Sequence, residues 1–288
     1  MIGQVFKILS FVYYVKDGES GRTFECRGRG KIKRDGEILV GDYVEYAAST
    51  SGIGTIEKIL PRKNELVRPY VANVDVTVIV IAPVPKPDYY LVDKIIINCY
   101  KDNIEPVLCV NKSDLISDVE LKRLTNGYGI INGFSVSAYT GEGLNELKEY
   151  MSGKLVCLAG QSAVGKTSLL NALTGRNVET GSISRRIERG KNTTRHTEIY
   201  DLDANTEIID TCGFSLLEID MKPSELKLYY PEFTRFNDDC KFSSCVHINE
   251  PYCAVKRAVD NGEIDKNRYG RYIELYNEIK TLGSKRYE

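Results

Sequence analysis

The sequence predicts a central α/β domain on a parallel sheet, flanked by an N-terminal all-β, OB-like barrel and a C-terminal, mainly helical domain. Three changes of texture predict it. Residues 1–67 hold short alternating apolar runs broken by glycines, GQVFKILSFVYYV, RTFECRGRGKIK, EILVGDYVEY and GTIEKIL, the spacing of a small all-β barrel or sandwich. Residues 68–222 carry continuous apolar strands, VDVTVIVIA, EPVLCV, GFSVSA and KLVCLAG, each followed by a helix-compatible stretch, which implies strands buried on both faces of a parallel sheet. Residues 223–288 are polar and helical, with a Cys/His-rich loop from Cys240 to Cys253 and a closing helical pattern around RYIELYNEIK.

A chain of 288 residues is long enough for two or three such units. Its hydrophobic fraction of 42%, and 39 basic against 40 acidic residues, exclude disordered, collagen-like and coiled-coil classes. The apolar run Ile8 to Val15 is too short for a membrane span and lacks a cleavage site, so it reads as a strand of a cytoplasmic protein with no membrane partner. Eight cysteines scattered irregularly argue against a secreted disulfide framework.

Within the middle domain, Gly160-Gln161-Ser162-Ala163-Val164-Gly165-Lys166-Thr167 fits G-x-x-x-x-G-K-[ST], after the strand KLVCLA and before the helix TSLLNALTG. Such a loop turns successive backbone N–H groups, through Ser168, toward a nucleotide's phosphates. Lys166 reaches the β and γ oxygens and the Thr167 hydroxyl takes Mg²⁺. Asp210-Thr211-Cys212-Gly213 follows the strand EIID, where Asp210 can hold Mg²⁺ and Gly213 can bring its N–H to a γ-phosphate.

Asn111-Lys112-Ser113-Asp114, after the strand PVLCV, has the N-K-x-D arrangement that guanine requires. The Asp114 carboxylate accepts from the ring N1–H and the exocyclic amine, Asn111 bridges the loops around the base, and the Lys112 stem covers the ring face. Adenine would leave that carboxylate unpaired. Ser137-Ala138, after FSV, supplies an N–H for the guanine O6. Further on, Cys240, Cys245, His247 and Cys253 form C-x₄-C-x-H-x₅-C, a complete tetrahedral shell for one structural Zn²⁺ per chain.

The order of these motifs is unusual, because the guanine loops precede the phosphate loop: the domain is circularly permuted. A permuted P-loop GTPase domain between an N-terminal β domain and a C-terminal Cys/His loop resembles the ribosome small-subunit-dependent GTPase A family over essentially the whole chain. The stretch Gly190-Lys191-Asn192-Thr193-Thr194-Arg195-His196 resembles that family's first switch and Asp210 to Phe214 its second. The resemblance implies a GTPase that binds the small ribosomal subunit and its rRNA late in assembly, hydrolyses GTP to GDP there, and acts as a monomer. It also implies Thr194 as a further Mg²⁺ ligand, beside Thr167 and Asp210, and a catalytic set of Lys166, Thr194 and His196.

Two positions depart from the family. Asn192 stands where a histidine usually precedes the threonine pair, which leaves His196 as the nearest substitute, and Cys212 replaces the second switch's usual proline. Phe214, after D-x-x-G, offers no side chain to orient water. In the β domain, Arg22, Arg27, Arg29, Lys31, Lys33 and Arg34 surround Phe24, which suits either a solvated hairpin or RNA contact; the resemblance favours RNA. A GTP-dependent protein-signalling switch not acting on ribosomes is the alternative of another class. The permutation also leads Asp210 to Leu217 straight into the zinc-bearing region, so the nucleotide state is expected to pass to that region along the chain rather than across a packed interface.

Overall fold

The computed structural model describes residues 1–29, 36–49, 52–67, 70–176, 197–210 and 219–285. The first five strands are β1 (Ile2–Leu9), β2 (Val12–Asp17), β3 (Thr23–Gly28), β4 (Tyr43–Ala47) and β5 (Gly54–Ile59). They follow the order β1-β2-β3-β5-β4, and β4 returns to β1 with Ile2 opposite Glu45 and Gln4 opposite Tyr43, which closes a barrel. Val5, Val15, Cys26, Val44, Tyr46 and Ile56 fill it. At the seam, a side chain on Gly3 would stand 2.6 Å from Val15 Cγ1 and 2.7 Å from the Lys16 carbonyl, so only glycine fits.

The single strand expected from Ile8 to Val15 is two strands, because the chain reverses at Ser10 and Phe11, whose φ angles are 47° and 67°. Neither is the glycine, asparagine or aspartate that normally marks such a turn, so no residue there announces the reversal.

After a small ribbon of β6 (Glu65–Val67) and β7 (Tyr70–Ala72) comes the α/β unit. It comprises β8 (Val76–Ile81), α1 (Tyr89–Lys101), β9 (Glu105–Val110), α2 (Asp118–Leu124), β10 (Asn132–Ser135), α3 (Leu144–Met151), β11 (Leu155–Ala159), α4 (Lys166–Thr174), β12 (Glu198–Asp201) and β13 (Glu207–Asp210). Its strands lie in the order β10-β9-β8-β11-β13-β12, parallel except for β12, which runs antiparallel to β13. Every residue of β8 is buried, as its unbroken apolar run requires of a central parallel strand. One face packs on α1 through Val92, Ile95, Ile96 and Cys99; the other packs on α3 and α4 through Leu147, Met151, Leu169, Leu170 and Leu173. The barrel joins this sheet where Lys7 of β1 pairs with Glu198 of β12, and Lys16 adds an ion pair to Asp201 at 2.6 Å.

The remaining chain forms a 3₁₀ turn (Pro223–Tyr229), α5 (Pro231–Asn237), α6 (Ala254–Asp260) and α7 (Lys266–Lys285) around Tyr230, Phe233, Tyr272, Leu275 and Ile279. Ile97 of α1 belongs to that same cluster. Beside it, Asp93 of α1, 1% exposed, accepts from Arg268 at 2.7 Å, from Arg271, and from the Tyr128 hydroxyl at 2.8 Å. Arg268, itself buried, also pairs with Glu232 and lies over the rings of Tyr128 and Tyr230. Two arginines and two carboxylates thus neutralise one another out of water, and removing one member of such a set costs about 3–5 kcal/mol. The α/β unit and the zinc-bearing region thus share a packed interface at Asp93 and Ile97, beside the chain that joins them.

Candidate functional site

The phosphate loop leaves the end of β11 and enters α4, and its two glycines have separate steric reasons. Gly160 has φ 129°, and a side chain there would stand 2.2 Å from the Val80 carbonyl. Gly165, with φ 94°, caps the start of α4, and a side chain there would stand 2.5 Å from Asn111 Nδ2. Lys166 folds back across the loop, with Nζ 2.8 Å from the carbonyls of both Gly160 and Gln161. Thr167 and Ser168 occupy the first turn of α4, where backbone N–H groups have no partner within the helix.

Asn111 follows β9 and is 1% exposed. Its Nδ2 donates to the Val164 carbonyl at 3.0 Å, and its Oδ1 accepts from the Ala138 N–H at 3.1 Å, so one side chain ties the phosphate loop to the Ser137-Ala138 loop. Lys112, in the left-handed region at φ 63°, sends Nζ to the carbonyls of Ala163 (3.0 Å) and Val84 (2.7 Å). Asp114 accepts from the Ser137 hydroxyl at 2.5 Å, and Ser137 in turn accepts from the Thr140 N–H at 3.1 Å. Segments from three separate parts of the chain therefore converge at the C-terminal ends of parallel strands, the usual crevice for a nucleotide in such a sheet.

Asp210 ends β13 opposite Leu158 of β11 in register, which sets that strand end beside the start of the phosphate loop. Thr167 stands in the first turn of α4, at the far end of the phosphate loop. Thr194, His196 and Gly213 lie outside the described residues, as do Asn192, Cys212 and Phe214. Of the basic run in the barrel, Lys31, Lys33 and Arg34 lie outside them too, while Arg22, Arg27 and Arg29 are exposed.

Sequence reasoning missed the second clamp on the phosphate loop. Gln161 Oε1 accepts from the Asp88 N–H at 2.6 Å, and its Nε2 donates to the Lys86 carbonyl at 3.0 Å. Asp88 is also the N-cap of α1, its carboxylate accepting from the Leu91 N–H at 3.0 Å. The cap was legible, since Pro-Asp precedes an apolar helical run; its attachment to Gln161 was not, because that position in the motif admits any residue.

In the C-terminal region Cys240, Cys245, His247 and Cys253 place one ligand atom each within 4.8 Å of one another. His247 Nδ1 stands 3.7, 3.4 and 3.3 Å from the sulfurs of Cys240, Cys245 and Cys253. Ligands about 2.0–2.3 Å from a tetrahedral Zn²⁺ would be separated by roughly 3.5–3.8 Å, so the cage is the right size. Burial pulls the His247 pKa down to about 4, with Lys227 adding to the effect, which keeps the imidazole neutral and able to ligate. Burial pushes the Cys245 thiol up to about 12, so its thiolate form requires a cation alongside. The phosphate loop and the metal cage are thus two distinct sites.

Residues 59–220 match the family described as RsgA GTPase, and residues 2–56 the RsgA N-terminal domain. A small ribosomal subunit biogenesis GTPase RsgA of Caldanaerobacter subterraneus subsp. tengcongensis is 44% identical, over 99% of this chain and 98% of that protein. The protein of the same name from Thermotoga maritima is 40% identical, over 96% of each chain. Among solved structures, YjeQ from Thermotoga maritima superposes with a TM-score of 0.82 at 39% identity, over 96% of this chain and 98% of that one. YloQ, described as a circularly permuted GTPase, gives 0.79 at 34% identity, over 98% of this chain and 95% of that one.

Proposed function

The chain belongs to the RsgA GTPase family, and from that premise we propose that it hydrolyses GTP in the service of late small-ribosomal-subunit assembly. The observation that carries the reading is the position of Asn111, bonded at once to the phosphate loop and to the Ser137-Ala138 loop. Guanine is held by Asp114 through its N1–H and amine, and by the Ala138 N–H through O6. The phosphates lie along the backbone from Gly160 to Ser168, with Lys166 turning from the Gly160 and Gln161 carbonyls to the β and γ oxygens. Thr167 and Asp210 would hold Mg²⁺, joined by Thr194, and the ion supplies neutralisation of phosphate charge when bound. Gly213 would donate its N–H to the γ-phosphate, and His196 would place the attacking water once the subunit is bound. The Cys₃His cage takes one Zn²⁺ as a structural ion.

The barrel contacts rRNA through Arg22, Arg27 and Arg29 with the adjoining basic run, and the protein works in the cytoplasm. Among the described residues no helix is long and apolar enough to cross a membrane. The described loops of the nucleotide site, at Asn111, Ser137 and Gly160, all come from one chain, so a monomer suffices to hold the nucleotide there.

Asp114→Asn tests the base assignment. Two hydrogen bonds to a charged acceptor become one good contact and one donor–donor clash, so GTP affinity should fall at least about 100-fold. Xanthosine triphosphate, which carries an oxygen where guanine carries the amine, should then bind better than GTP. Calorimetric titration of both nucleotides measures it, and an unchanged preference for GTP sinks the assignment. The second test is turnover by phosphate release with and without purified small subunits. Because Asn192 and Phe214 supply no water-orienting group, the free protein should be slow and the subunits should accelerate it at least about tenfold. Equal rates in the two conditions would leave a ribosome-independent GTPase.

A further inference from the structure

Helix α1 touches both the phosphate loop and the zinc-bearing region. The segment that leads into it is attached to the loop: the N–H of its cap, Asp88, and the Lys86 carbonyl are both engaged by the Gln161 side chain, and Lys112 joins Val84 to Ala163 across the same gap. Its body is attached to the C-terminal helix. Asp93 takes Arg268 and Arg271, Lys94 reaches Glu278 at 2.7 Å, and the Tyr90 hydroxyl bonds that same carboxylate. Both attachments bear on one continuous helix of 13 residues, Tyr89–Lys101, whose own hydrogen bonds leave little room for slack.

The partners on α7 are in turn part of the packing around the cage. Arg268 lies over Tyr230, Tyr230 stacks on Phe233, and Phe233 meets the His247 ring edge-on at 5.6 Å. We propose that α1 is a rigid strut that couples the phosphate loop to the zinc-bearing region, with Gln161 as its attachment at the N-terminal cap and the Asp93–Arg268–Arg271 cluster as its attachment within the helix. Gln161 and Arg271 are positioning residues in this scheme: neither needs to touch GTP through its side chain. The proposal rests on the reading of Gly160 to Thr167 as a nucleotide loop. Because coupling is reciprocal, a nucleotide that reshapes the loop must change the stability of α7, and a change at α7 must alter nucleotide affinity by the same factor.

A double-mutant cycle on the full-length, zinc-loaded protein tests it, with GDP affinity by calorimetry as the readout. Arg271→Met, which leaves Asp93 with Arg268, should weaken or tighten GDP binding by fivefold or more, the low end for coupled sites. In a Gln161→Ala background the same substitution should change affinity less than twofold. Hydrogen exchange gives the reciprocal measurement: GDP should alter protection of α7 in the parent and not in Gln161→Ala. If Arg271→Met loses zinc, Glu278→Gln, which touches α1 through Tyr90 and Lys94 and leaves Asp93 alone, replaces it in the cycle. Equal effects in both backgrounds, or no effect in either, overturn the strut. Absence of GDP binding in the parent protein would instead overturn the nucleotide reading beneath it.

Discussion

Lys166→Ala should lower GTP turnover at least about 1,000-fold, in the free protein and on the subunit alike, the scale seen when a preorganised charge-stabilising group is removed. The amine is 2.8 Å from two carbonyls of its own loop, so it already points into the space that those carbonyls border. Once GTP has drawn it from those carbonyls to the phosphate oxygens, the charge stays in place as negative charge moves from the γ-phosphoryl group toward the leaving oxygen. The substitution removes no apolar packing, because the contacts of α4 with the sheet are made by Leu169, Leu170 and Leu173. Phosphate release under saturating GTP measures the effect, and retention of a tenth of parental turnover would remove Lys166 from the mechanism.

Cys245→Ser should be the most damaging substitution for stability. Structural Zn²⁺ contributes about 10–16 kcal/mol in small zinc modules at neutral pH, and that binding energy is folding energy. Here Cys245 and Cys253 belong to the same buried cluster as Tyr230, Phe233 and Tyr272, so loss of the ion reaches the core of this region directly. Loss of one thiolate should therefore take zinc content from one ion per chain to well under half. It should also open α5 to α7 to proteolysis, while the preference for guanine over adenine persists because Asp114 and Ala138 lie elsewhere. Metal analysis and limited digestion measure the two parts. Parent protein purified without chelator and free of zinc would refute the metal assignment outright.

Where a function is written in consecutive residues, the sequence disclosed it. The phosphate loop, N-K-x-D and the Cys/His loop each carry their chemistry within a few positions, since backbone geometry or ligand spacing demands those residue types there. The parallel strands were legible for a related reason, β8 being apolar at every position because both its faces are covered. What escaped was long-range. Asp93 lies in the helical run YYLVDKIIINCYK among isoleucines, and a carboxylate on an apolar face must find a cation; but its partners are 175 and 178 residues away, beyond any spacing rule. The turn at Ser10 and Phe11 escaped for the opposite reason. Its backbone is of a kind that glycine or asparagine usually announces, and the barrel imposes it on two residues that do not.

The barrel's attachment through β1 has a consequence unrelated to anything it binds. Strand β12 is the last of its sheet, and without Lys7 and its neighbours it would present unpaired backbone groups along an open border. Such a border invites a second chain to add itself. A fragment begun after the barrel would keep the phosphate and guanine loops yet carry a self-adhesive margin, so the N-terminal unit also serves the middle one as a guard against aggregation.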